Sequence, residues 1–164
     1  MNGDDLRRAA ETLWRIRREE RRIDHLPPEL RPTTLAAGYD IQDAMVAVAG
    51  QPVAGWKIAA TSPAGQKHIG VTEPLSGRLF RDFVLPDGAH RPAKTMHMRV
   101  AEAEFAFKMA KTLPARGRDY SVDEACDAVA ALHLAIEIPD ARFQVFDTIG
   151  APTIVADDAF RTEE

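Results

Sequence analysis

The sequence predicts a single domain that mixes α-helices and β-strands, with the helices leading. Three observations carry this. Apolar residues recur at helical spacing near the N-terminus, with Leu6, Ala9, Ala10, Leu13 and Ile16 on one side. Two later stretches alternate at the strand period, around Arg99–Met109 and His133–Pro139. The chain has 164 residues, of which 45% are hydrophobic and 28% charged, enough for one core and the composition of an ordinary globular protein.

The first helix is expected over about Asp4 to Arg22, its arginines and glutamates forming solvated faces. Pro27, Pro28 and Pro32 then impose an extended linker. Thr33 or Thr34 can cap a second helix through about Ala49. Its stripe is Ala37, Ile41, Ala44, Met45 and Val48, and Gly50 ends it. Val53 to Ala60 is a mostly apolar strand interrupted by Lys57, which either snorkels to an edge or is held inside near a negative group. Thr61 to Gly70 reads as a polar loop after that strand. Pro86-Asp87-Gly88 is a turn signal.

In the stretch from Arg99 to Met109, Ala101, Ala103, Phe105, Phe107 and Met109 share one face. Val100, Glu102, Glu104, Ala106 and Lys108 share the other. Same-face neighbours on a strand lie about 6.5–7 Å apart at Cα. Glu102 and Glu104 can therefore converge on one cation, or simply form the wet face of a half-buried strand. Ser121 and Glu124 match a capping box for a helix to about Leu132, which would place Cys126 in the core. On the next strand Glu137 lies among apolar residues, where a charge is costly unless paired or bound to metal. Asp140 and Arg142 can form an ion pair or contact a substrate. Thr153 to Ala156 reads as a last short strand.

Net charge is −4, which argues against a nucleic-acid partner. No apolar run reaches membrane-spanning length, so no membrane association is expected. Cys126 is the only cysteine, which excludes an internal disulfide and suits a cytoplasmic location. The five histidines are scattered without metal-ligand spacing. Three carboxylates on two strands, Glu102, Glu104 and Glu137, specify an oxygen-rich site that suits Mg²⁺ or Mn²⁺ better than zinc or copper. Such a site leaves room for a substrate that chelates through two oxygens, such as a 2-oxo acid.

Several ordered motifs then carry a family resemblance. They are Tyr39-Asp40-Ile41-Gln42-Asp43-Ala44, Gly55-Trp56-Lys57-Ile58, Thr61-Ser62, Gly70-Val71, Glu73-Pro74-Leu75-Ser76-Gly77-Arg78-Leu79-Phe80, Glu102-Ala103-Glu104, Ala135-Ile136-Glu137 and Ala156-Asp157-Asp158-Ala159. In this order the chain resembles the 2-keto-4-pentenoate hydratases of the fumarylacetoacetate hydrolase superfamily. The resemblance implies an α+β fold: a mixed β-roll (residues 51–164) behind an N-terminal helical segment (residues 1–50), in one structural domain. It implies Glu102, Glu104 and Glu137 as metal ligands, Lys57 as the catalytic lysine, and Thr61, Ser62 and Asp157 as substrate-binding residues. It further implies a small-molecule 2-oxo acid substrate, a homo-oligomer and a role in aromatic catabolism. The implied reaction is addition of water to an enone after enolate stabilisation. Related chemistries are decarboxylation and carbon–carbon hydrolysis.

Three departures accompany it. Pro74-Leu75-Ser76-Gly77 stands where the hydratases often have Pro-Asp-Phe-Gly, and Asp158 stands in place of an asparagine. The charged end Arg161-Thr162-Glu163-Glu164 differs from the family's continuation, so the chain is expected to be a C-terminally truncated member with an incomplete sheet. An inactive fragment, or a subunit acting only by association, is the alternative.

Overall fold

The computed structural model describes residues 1–145 and 148–159; the charged end from Arg161 lies outside the described residues. Helix α1 (Gly3–Arg18) starts where the Asn2 side chain accepts from the Asp5 amide. Helix α2 (Leu35–Ala49) starts at Thr34, whose Oγ1 accepts from the Ala37 amide, and ends at left-handed Gly50. The apolar side expected for α1 is the buried one: Ala9, Ala10, Leu13 and Ile16 pack with Ile41 and Met45 of α2 and with Phe80, Phe83 and Phe143. Trp14 meets Phe80 edge to face at 5.2 Å.

Strand β1 (Val53–Ala59) pairs antiparallel with β2 (Leu75–Phe80), and β3 (Glu102–Met109) pairs antiparallel with β4 (Val129–Glu137). The mixture of helices with small antiparallel sheets is the α+β class the sequence predicts. Two compact units result. One comprises Met1–Val100 with the chain from Ile138 onward; the other is Ala101–Glu137.

Several expectations need correction. The segment read as a loop after β1 contains helix α3 (Pro63–Ile69), capped by the Ser62 side chain and ended by left-handed Gly70. The last expected strand is helix α5 (Ala151–Ala156), because Gly150-Ala151-Pro152 sets a helix start and packing against α2 outweighs the β-branched Thr153, Ile154 and Val155. The helix after Ser121 is only α4 (Val122–Cys126), because the backbone from Val129 pairs with β3. Cys126 is consequently exposed rather than in the core. The extended linker contains a single 3₁₀ turn at Pro28–Leu30. Arg17, read as part of a solvated face, is buried.

The capping box at α4 is present in both directions: Ser121 Oγ accepts from the Glu124 amide, and Glu124 Oε2 accepts from the Ser121 amide. Arg116 binds the same carboxylate at 2.8 and 2.6 Å and, with the Ser121 amide, holds its pKa down at about 2. A depressed carboxylate stabilises the fold above its unfolded pKa and loses that contribution as pH falls toward 2. NMR titration is expected to find Glu124 ionised well below the usual carboxylate range. Arg116→Ala should return it toward about 4.3.

Candidate metal centre

The register of the β3–β4 ribbon builds the site. Glu102 stands directly opposite Glu137, and Glu104 stands opposite Ala135, so the three glutamates share one face. One carboxylate oxygen from each lies within 4.8 Å of the others. Glu137 is buried and Glu102 exposed, so the cluster runs from the interior to solvent. Like charges placed opposite one another on a ribbon repel. A hard divalent cation offsets that repulsion, and three carboxylates form the all-oxygen donor set it prefers. The residues present therefore fit Mg²⁺. Register also places His133, opposite Ala106, and Lys108, opposite Ala131, on this face. The alternation of β4 already put His133 beside Ala135 and Glu137, but its isolation from other histidines hid it.

The other residues singled out from sequence lie in the larger unit. Lys57 is buried, and its Nζ donates to the Ala159 carbonyl at 2.7 Å. This answers the question of snorkelling: the lysine is held inside. Thr61 is exposed, and Ser62 spends its Oγ on the Gly65 amide at the start of α3. Asp157 is buried, with Oδ1 3.3 Å from Arg17 Nη2 and Oδ2 accepting from the Arg142 amide. Asp140 and Arg142 are buried and paired with each other, and Asp140 Oδ1 also accepts from the His97 and Met98 amides at 2.9 Å, so this pair is structural.

Sequence reading missed Arg17. Its Nη1 binds Asp158 Oδ2 at 2.8 Å. Burial pushes the Asp157 and Asp158 carboxyls up against the pull of this guanidinium, while the two aspartates keep Arg17 firmly charged. Helix α2 adds a polar tie to the same region. Gln42 Nε2 donates to the Ser76 and Val155 carbonyls, and Gln42 Oε1 accepts from Arg78.

The chain shares its fold with solved decarboxylase structures. It matches 4-oxalocrotonate decarboxylase from Pseudomonas putida G7, in a structure complexed with magnesium and adipate. The TM-score is 0.86 at 22% identity, over 99% of this chain and 62% of that one. In sequence it is 36% identical over 98 residues to a 2-keto-4-pentenoate hydratase of Burkholderia vietnamiensis, covering 60% of this chain and 37% of the relative. It is 31% identical over 157 residues to the TodF product hydratase of Pseudomonas putida, covering 94% of this chain and 58% of the relative. Its sequence similarity is thus to hydratases, 2-keto-4-pentenoate hydratase among them. The chain spans a little over a third to a little over half the length of these two relatives. No protein-family model matches it. Among the described residues, no helix is long and apolar enough to cross a membrane.

Proposed function

We propose that the chain carries the divalent-metal centre of a lyase acting on a 2-oxo acid, of the 2-keto-4-pentenoate hydratase type. The observation that carries this reading is the convergence of Glu102, Glu104 and Glu137, with their oxygens within 4.8 Å. The hydratase relatives and the magnesium-bound decarboxylase neighbour support it. Glu102, Glu104 and Glu137 would hold Mg²⁺ or Mn²⁺. When bound, the cation supplies Lewis acidity toward the carboxylate and 2-oxo oxygens of the substrate. Lys57 is proposed to contribute positive charge or a proton, and Thr61, Ser62 and Asp157 to bind substrate. The rolled sheet of the family is part of the same reading.

Glu104→Gln tests it in two ways. Wild-type protein at about one hundred times the dissociation constant for Mg²⁺ should gain roughly 2.7 kcal/mol, read as a rise in Tm that EDTA reverses. The variant should lose that response and any Mg²⁺-dependent turnover of a 2-oxo-enoate. An unchanged response to Mg²⁺ would remove Glu104 from the ligand set. Product analysis separates hydration from decarboxylation.

A further inference from the structure

Just after α5 the chain makes a turn that its residue types resist. Asp158 and Ala159, neither of them glycine, stand at φ of 57° and 50°. Left-handed backbone is costly for residues with a Cβ, and it persists only where the surroundings over-determine it. Ala159 is fully buried, and its carbonyl accepts the 2.7 Å hydrogen bond from Lys57 Nζ. The aim of this one carbonyl therefore bears directly on where the lysine's charge sits.

Arg17 of α1 supplies the constraint. Its Nη1 donates to Asp158 Oδ2 at 2.8 Å, and its Nη2 reaches Asp157 Oδ1 at 3.3 Å and the Asp157 carbonyl at 3.4 Å. One planar guanidinium thus spans both aspartates, which a compact ammonium cannot do. From the other side the Arg78 amide donates to Asp158 Oδ1 at 3.4 Å. Arg17 Nε has no hydrogen-bond partner among the described residues, so the guanidinium is incompletely satisfied where it lies. A buried ion pair adds little net stability over apolar side chains filling the same space, and orientation is the better account of this one. We infer that Arg17 is a positioning residue for Lys57: it fixes the turn at Asp157–Ala159, and the turn's carbonyl fixes the ammonium. The catalytic meaning of that placement rests on the role proposed above for Lys57. The placement itself does not.

Trace acylation by acetic anhydride tests the placement in the 164-residue chain, with neither metal nor substrate needed. Mass spectrometry reads the Lys57 amine against that of the exposed Lys67. Arg17→Met should speed Lys57 acylation about tenfold, the order set by losing one hydrogen bond to a charged group. Arg17→Lys keeps a positive charge but cannot span both carboxylates, so the expected rise is smaller, roughly threefold. It also decides the question should the methionine variant not fold. Leu13→Ala is the control: it empties a fully buried position four residues earlier on α1, weakening the same core with no part in the ion pairs. Its Lys57 should be acylated at the wild-type rate relative to Lys67. A folded Arg17→Lys protein with wild-type acylation of Lys57 overturns the inference. So does an equal rise in Leu13→Ala, which would mean general loosening of the core. Turnover forms a separate arm. A Lys57→Met protein that still converts a 2-oxo-enoate with Mg²⁺ would strike the lysine's catalytic role and leave its placement by Arg17 standing.

Discussion

Arg17→Met is expected to destabilise the fold by about 3–5 kcal/mol, the usual cost of removing one partner from a buried ion pair. Methionine keeps much of the side-chain length and its contact with Trp14, Phe80 and Phe83, which lie 5.8–6.0 Å from the guanidinium carbon. What it cannot replace is the charge shared by Asp157 and Asp158, both at most 2% exposed. The sign with pH separates charge from packing. Burial already raises these carboxyls, and loss of Arg17 raises them further. A raised carboxyl binds more protons folded than unfolded. Stability is therefore retained below about pH 3.9 and declines as pH rises through the folded value. The variant's deficit in urea unfolding should be smaller at acid pH than at pH 8. An equal deficit at both would mean that lost packing, not lost charge, sets the cost.

Arg17 also marks where the sequence stopped being legible. Its neighbours Arg15 and Arg18 face solvent in ion pairs with Glu19 and Asp82, as helix periodicity and charge pattern suggest. Arg17 differs only because Asp157 and Asp158, some 140 residues later, fold beneath it. No local pattern reports a partner that distant. The carboxylate face was legible for the opposite reason. Alternation within β3 and β4 assigned every residue a side, and antiparallel pairing needed only to bring the two strands together. The same alternation put Phe105 and Phe107 together on the reverse face, where both are exposed. The short helices failed differently. Ser62-Pro63 with Gly70, and Gly150 with Pro152, were helix start and stop signals outweighed in reading by polar or β-branched residues between them.

Gly77→Ala should be nearly as costly as loss of Arg17, through the backbone rather than through charge. Gly77 stands opposite Lys57 in the β1–β2 ladder. The absent side chain lets the chain at Asp158 lie against β2. A Cβ there would sit 2.0 Å from the Asp158 carbonyl oxygen, 2.6 Å from its carbon and 3.1 Å from Lys57 Cγ. The first two atoms are backbone and cannot swing aside as a flexible side chain would. Asp158 and Ala159 are moreover held at φ of 57° and 50°, so the segment is already in the left-handed region disfavoured for non-glycine residues. Its constraints are the Asp158–Arg17 ion pair and the Lys57 hydrogen bond to the Ala159 carbonyl. One methyl group must push this segment off β2 or distort the ladder, at a cost of about 3 kcal/mol for overpacking without a relief path. Denaturant unfolding should record that loss. Lys57 supplies a second readout: with the Ala159 carbonyl displaced, its deprotonated amine should be acylated faster than in the wild type under conditions where both proteins are folded. Loss of stability with unchanged Lys57 reactivity would mean the ladder yields instead, leaving the Lys57–Ala159 contact intact.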